Sequence, residues 1–149
     1  MVFSKKLSKY WSAWKGINQN QKLDLIRSAM VLTLVKLGLV MLPFNTFRNW
    51  FRKIAYASSP RTLSKKRVDE IVWSINVMAN LLPISLLCLP RALAAKYLLR
   101  GQSNMKLEIG VELNPREQFE AHAWIEQDGE IIIGDWDSSI SYQRLWSWE

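Results

Sequence analysis

The sequence predicts an α+β protein, with helices in its N-terminal half and a small antiparallel sheet in its C-terminal half. Apolar residues follow helical three- and four-residue spacing over residues 64–80, and the period changes to two after Gly101. A length of 149 residues with 49% hydrophobic composition is typical of one domain with its own core. We therefore expect a single domain over residues 1–149, in which a basic helical region (1–80) precedes a second part (81–149).

The charge is divided unevenly between the two halves. Residues 1–70 contain 14 Lys and Arg against 3 Asp and Glu, whereas residues 71–149 contain 6 against 10. A basic half can meet an acidic peptide, an acidic protein, an anionic membrane surface or nucleic acid, or can simply keep a helical region solvated. Because no nucleic-acid-binding motif is present, we expect no nucleic-acid partner.

Two helices are predicted in the basic region. Residues 21–42 would place apolar side chains on nearly every face of a helix, which is typical of a buried helix. Residues 64–80 carry apolar side chains on one helical face. The apolar stretch at residues 30–44 is too short to cross a bilayer. Basic residues at 48, 52 and 53 follow it, which leaves peripheral membrane contact as an alternative to burial.

A third helix is predicted to begin at Leu89 or Pro90 and to end at Gly101, which places Cys88 at its N-terminus. Proline is favoured in the first turn of a helix, and glycine at the C-terminal cap. Cys88 is the only cysteine, so the chain has no intramolecular disulfide. Most lone cysteines are structural, but the unpaired N–H groups of a helix N-terminus stabilise a thiolate, which is the nucleophilic form. Arg91 in the first turn can add to this field.

Three strands are predicted after Gly101, over residues 107–113, 119–126 and 130–134. A turn is expected at residues 114–115 because asparagine precedes proline there. Asp128 and Gly129 form a strong signal for a two-residue hairpin loop. The aromatic-rich residues 136–149 give no clear assignment.

His122 is the only histidine, and the predicted hairpin pairs it with an acid. With a two-residue loop at 128–129, Trp124 pairs with Ile133 and His122 with Asp135, on the same face of the sheet. The imidazole is the candidate base and Asp135 the candidate acid that orients it, with Cys88 as nucleophile. Asp137 is the alternative acid if the strand contains a bulge. One cysteine and one histidine do not make the usual zinc sites, and no phosphate-binding loop is present, so we expect no cofactor.

Three segments resemble the transglutaminase-like leader peptidases of lasso-peptide biosynthesis. They are CLPRALAAKYLLRG at residues 88–101, LEIGV at 107–111 and FEAHAWIE at 119–126. The resemblance is specific over about residues 80–135. It implies a papain/transglutaminase-like fold, in which a helix carrying the nucleophile packs against an antiparallel sheet. It also implies a catalytic core over 81–149 and a catalytic triad of Cys88, His122 and Asp135.

The resemblance also implies a substrate and partners. Such enzymes are cysteine proteases that hydrolyse the peptide bond between the leader and the core of a ribosomally made precursor. In split systems a separate small protein recognises the leader, and this chain is similar to the stand-alone protease half. The precursor peptide, that recognition protein and the cyclising synthetase are therefore the expected partners. The expected location is the cytoplasm, and association with a membrane surface is the alternative.

Two other functions are compatible with the sequence. A transglutaminase-like acyl transferase uses the same triad with an amine as acceptor. A non-enzymatic, membrane-peripheral adaptor uses the apolar stretch at residues 30–44 and its basic flanks, and leaves Cys88 unreactive.

Overall fold

The computed structural model describes residues 14–56, 59–113, 119–136 and 140–148. Within them lie four long helices and four strands. These are α1 (Gln19–Met41), α2 (Phe44–Tyr56), α3 (Lys65–Leu81), α4 (Cys88–Leu98), β1 (Met105–Leu113), β2 (Phe119–Gln127), β3 (Glu130–Ile133) and β4 (Gln143–Trp148). The predicted α+β class is confirmed. The turn predicted at residues 114–115 lies outside the described residues.

Helix α1 is only partly buried. A capping box starts it: the Gln21 N–H donates to the Asn18 side chain at 2.8 Å, and the Gln21 side chain accepts from the Asn18 N–H. Leu32 lies fully inside the core, but Leu34 is 61% exposed and Met41 is 75% exposed. The prediction of a helix buried on all sides is therefore wrong, because α1 has a second apolar face that nothing in the described chain covers. Among the described residues, no helix has the length and apolarity needed to span a bilayer.

Helix α2 was not predicted. Its inner face consists of Phe47, Phe51 and Ala55, which are all buried and lie one helical turn apart. Close contact with α1 is possible because Gly38 has no side chain. A Cβ atom there would lie 2.8 Å from the ring of Phe47.

Helix α3 packs against α1 through polar contacts as well as apolar ones. The hydroxyl groups of Ser28 and Ser74 are fully buried and hydrogen-bonded to each other at 2.8 Å. The guanidinium of Arg67 donates to both oxygens of the buried Asp24, with one contact at 2.7 Å. These bonds fix the register of the two helices, because a polar group buried without a partner is costly.

The four strands form one antiparallel sheet in the order β3-β2-β1-β4. The hairpin predicted at residues 128–129 is confirmed: Asp128 has φ 52° and Gly129 has φ 86°, as a type I′ turn requires. The unassigned tail supplies β4, which pairs with β1. Helix α4 packs against β2 more extensively than against β1, so the helix that begins at Cys88 lies beside the strand that carries His122.

The sheet face that carries His122 is more buried than the alternating pattern predicts. Glu108, Trp124 and Glu126 lie on this face and are all buried. The Trp124 indole N–H and the Arg144 guanidinium both donate to Glu126, at 2.8 and 2.6 Å. The Ser147 hydroxyl donates to one oxygen of Glu108 at 2.8 Å, and the other oxygen has no partner within the part of the chain described here.

Candidate active site

Cys88 is the first residue of α4. The helix begins one residue earlier than predicted, with Leu87 as its N-cap. Leu87 makes no side-chain capping bond, so the first N–H groups of the helix keep their partial positive charge next to the thiol. Cys88 is partly exposed and lies at the edge of the hydrophobic core. A partly exposed thiol at a helix N-terminus is suited to nucleophilic attack.

Arg91 holds the segment that leads into Cys88. Its Nε–H donates to the Leu86 carbonyl and its Nη2 donates to the Asn80 side chain, both at 2.9 Å. The guanidinium thus ties the end of α3 and the loop after it to the first turn of α4. Arg91 therefore positions the first turn of α4, where the candidate nucleophile Cys88 lies, and adds a positive charge near it.

His122 lies on β2, opposite Gly110 of β1, and its ring is held by a backbone carbonyl. The distance from His122 Nε2 to the Gly134 oxygen is 2.6 Å. A carbonyl oxygen only accepts hydrogen bonds, so Nε2 must carry the proton and donate it. The lone pair of the neutral ring is then on Nδ1, which is the atom that can accept the thiol proton.

Asp135 does not lie opposite His122, because the hairpin contains a register shift. Gln127 pairs with Glu130 as predicted, but Ile133 pairs with Ile125 rather than with Trp124. A bulge in β3 near Ile132 adds one residue to that strand. The register derived from the turn is therefore wrong beyond the bulge.

The shift changes which side chain lies next to the imidazole. The ring of Trp136 packs edge-on against His122, with centroids 5.5 Å apart, whereas Asp135 is exposed. The imidazole was predicted to be oriented by a hydrogen bond to the Asp135 carboxylate. In the structure, the Gly134 carbonyl accepts a hydrogen bond from the imidazole instead. The part of Asp135 in the chemistry stays a prediction, and the alternative acid, Asp137, lies outside the described residues.

Tyr142 is a site residue that the sequence analysis missed. Its ring stacks on His122 with centroids 4.9 Å apart, and it packs edge-on against Trp136 at 5.1 Å. Burial raises the pKa of the Tyr142 phenol, and the negative charges of Glu120, Glu112 and Cys88 raise it further. The Cys88 sulfur is therefore within electrostatic reach of a ring that touches His122.

The rings of His122 and Tyr142 are in direct contact, and Cys88 lies within electrostatic range of Tyr142. Within the described ranges, no hydrogen bond joins Cys88 to His122, and none joins Asp135 to the imidazole. In the same ranges, no group of three or more His, Cys, Asp and Glu side chains is placed to hold a metal ion. The chemistry available here is that of a thiol and an imidazole.

A family model described as the transglutaminase-like superfamily matches residues 38–147. The chain belongs to the transglutaminase-like superfamily. This superfamily includes cysteine peptidases and acyltransferases, and its domain typically has a catalytic fold of the cysteine-protease type. No curated protein and no solved structure matches the chain.

The transglutaminase-like segment contains every candidate site residue but only the end of α1. Cys88, His122, Asp135 and Tyr142 all lie within residues 38–147. Residues 19–37 of α1 lie outside it, and they carry most of the exposed apolar face described above. Most of that exposed face therefore lies outside the matched segment.

Proposed function

We propose that the protein is a cysteine peptidase that removes the leader from a ribosomally synthesised, lasso-type precursor peptide. Cys88 is the nucleophile, His122 the general base and Asp135 the acid associated with it. One observation carries the proposal: Cys88 is the first residue of α4, and α4 packs against the strand that carries His122. The superfamily to which the chain belongs includes cysteine peptidases.

The reaction would proceed by thiol acylation. Nδ1 of His122 takes the Cys88 proton, and the sulfur attacks the carbonyl carbon of the leader–core bond. The C–N bond breaks, the core amine leaves with the proton from His122, and the leader remains as a thioester. A water molecule gives a proton to His122 and attacks the thioester. The leader then leaves as a carboxylic acid, and the thiol regains its proton.

Features around Cys88 are suited to a peptide substrate. The free N–H of Cys88 at the helix N-terminus is a donor for the oxyanion of the tetrahedral intermediate. Leu87 is 71% exposed, and Leu81 and Ile84 in the preceding segment are also exposed. An apolar surface next to the nucleophile supports contact with apolar side chains of the precursor.

The proposed partners follow from the resemblance of residues 80–135 to lasso leader peptidases. They are the precursor peptide, a separate small leader-recognition protein and the cyclising synthetase. The excess of basic residues over 1–70 is consistent with an acidic partner.

The test uses the full chain with candidate precursor peptides, with and without a leader-binding protein, followed by mass spectrometry. Wild-type protein should give two fragments whose masses sum to that of the precursor plus one water. Cys88→Ala should lower the cleavage rate by roughly 10⁴- to 10⁶-fold while the circular dichroism spectrum is unchanged. Asp69→Asn, an exposed change on α3, is the matched control and should cleave at the wild-type rate.

Three results would contradict the proposal. If Cys88→Ala still cleaves, the thiol is not the nucleophile. If the leader carboxyl is joined to an amine instead of being released as an acid, the protein is an acyl transferase. If the wild type does not cleave, leaves Cys88 unmodified by iodoacetamide and binds anionic liposomes in a salt-sensitive manner, the adaptor is the correct function.

A further inference from the structure

A cleft with apolar walls and basic residues lies between the helices, away from Cys88. Its volume is about 570 Å³, and we call it the α1 groove. The residues that line it include Arg27, Met30, Leu34, Trp50, Arg61 and Arg100. A cleft of this size is in the range of ligand-binding sites.

The apolar walls come from two helices. Met30 and Leu34 of α1 are 57% and 61% exposed, and Trp50 of α2 is 51% exposed. Met30 and Leu34 belong to a longer row of exposed apolar residues on α1, made up of Leu23, Ile26, Met30, Leu34, Leu37 and Met41. The row follows helical three- and four-residue spacing from Leu23 to Met41, a rise of about 27 Å along the helix axis. Exposed apolar rows of this kind mark sites where another molecule binds.

The groove is also positively charged. Arg27, Arg61 and Arg100 line it, and Arg27 and Arg61 are exposed. Among the described residues that line the groove, Asp24 is the one acid, and its carboxylate is bonded to Arg67. An occupant must therefore bring apolar side chains for the walls and negative charge for the arginines.

We propose that the α1 groove binds an acidic amphipathic helix that belongs to a separate protein. A helix with one apolar face fits an apolar groove, and acidic residues beside that face complement the arginines. A flat bilayer fills a concave cleft less well. A second copy of the chain would bring a region of residues 1–70 with the same excess of positive charge.

The position of the groove favours a separate protein over the substrate. On α4 it is lined by Tyr97, Leu98 and the following Arg100, whereas Cys88 lies ten residues before Leu98, a distance of about 15 Å along the helix. Most of α1 also lies outside the segment that matches the superfamily. This proposal defines the partner surface of the proposed function more closely, but it does not depend on the chemistry of Cys88.

The test measures peptide binding by fluorescence anisotropy, using Cys88→Ala full-length protein so that cleavage plays no part. Two labelled 18-residue helical peptides share one leucine face and differ in carrying glutamate or lysine beside it. The glutamate peptide should bind at least tenfold more tightly than the lysine peptide, and less tightly as salt rises. Leu34→Glu and Arg27→Glu should each weaken its binding at least tenfold. Leu145→Glu, an equally exposed apolar position on β4, is the control and should change binding less than twofold.

Several outcomes would overturn the proposal. The proposal is wrong if the glutamate and lysine peptides bind with equal affinity. It is also wrong if Leu34→Glu has a wild-type circular dichroism spectrum and binds the glutamate peptide as tightly as the wild type does. If the glutamate peptide fails to bind but phosphatidylglycerol vesicles bind in a Leu34-dependent way, the face contacts a membrane. If sedimentation shows a dimer that Leu34→Glu dissociates, the occupant is a second copy. Because cleavage is absent from these measurements, a failure here is distinct from a failure of the peptidase assay.

Discussion

The phenol ring of Tyr142 stacks on the imidazole of His122, with ring centroids 4.9 Å apart and ring planes 23° from parallel. Tyr142 directly precedes β4, and β4 pairs with β1 on the side of the sheet away from β3. The pairing of β4 with β1 therefore brings the Tyr142 side chain over the imidazole carried by β2. The stack fixes the plane of the imidazole, while the Gly134 carbonyl fixes its tautomer.

Replacing Tyr142 tests the stack. We expect Tyr142→Ala to lower kcat for precursor cleavage by roughly ten- to a hundredfold with little change in KM, because a freed imidazole spends less time in the reactive orientation. Tyr142→Phe keeps the ring and should retain most of the activity. Steady-state kinetics on both variants measures this, and equal losses in the two would show that the hydroxyl, not the stack, matters.

The ionisation of Tyr142 makes a second prediction. Burial and nearby negative charges raise its pKa above the ordinary value of 10, so the folded state favours the neutral phenol. Between pH 10 and the raised pKa the unfolded chain binds fewer protons than the folded one, and stability falls as the pH rises. The difference in absorbance at 295 nm between wild type and Tyr142→Phe should titrate with a midpoint above 10. A midpoint below 10 would contradict the partial burial of the phenol.

The role of Asp135 can be separated from that of Gly134. We expect Asp135→Asn to lower kcat/KM by about tenfold, because the Gly134 carbonyl still holds the imidazole tautomer in the variant. Loss of a carboxylate that alone orients the base costs about 10⁴-fold. A loss of that larger size would mean that the acid bonds the imidazole during the reaction. Asp137→Asn, measured in parallel, tests the alternative acid.

Gly110 is predicted to be intolerant of a side chain. A Cβ atom there would lie 2.8 Å from the Trp124 ring and 2.9 Å from the Gln143 carbonyl. Gly110→Ala should therefore lower the free energy of unfolding by about 1–3 kcal/mol. It should also weaken activity by moving the aromatic side chains around His122. Gly16→Ala, where nothing lies within 4 Å, is the control in urea unfolding and should not destabilise the protein.

The ion pair between Arg67 and Asp24 should contribute measurably to stability. Arg67→Met leaves the Asp24 carboxylate buried without its donors, which should cost about 2–3 kcal/mol in the free energy of unfolding. Lys65 and Glu130 form a 3.6 Å pair whose side chains are both almost fully exposed. Lys65→Met should change stability by less than about 0.5 kcal/mol. Similar losses in the two variants would contradict the burial of Asp24.

The sequence predicted the parts of the fold that local rules control. Capping and hairpin signals placed α4 and the Asp128–Gly129 turn within a residue or two, because those signals act over a few neighbouring positions. Helix α2 was missed because Arg48, Arg52 and Lys53 between its apolar residues suggested only a basic flank. The exposed face of α1 was missed because apolar composition alone does not say which side a neighbouring element covers.

The site was predicted less completely than the fold. Cys88 and His122 stand out as the single members of their residue types, so the sequence points to them directly. The bulge near Ile132 carries no local signal, and one added residue was enough to put Trp136 rather than Asp135 beside the imidazole. Tyr142 is 20 residues from His122 along the chain, and only the pairing of β4 with β1 brings the two together.

The bonds that Arg91 makes to Leu86 and Asn80 have a consequence for how Cys88 meets a ligand. A guanidinium donates its N–H groups from a rigid planar fork, so the two bonds hold the end of α3 and the first turn of α4 in one arrangement. The thiol is therefore held in a preformed position. Ordering the segment between α3 and α4 should then cost little free energy when a ligand binds.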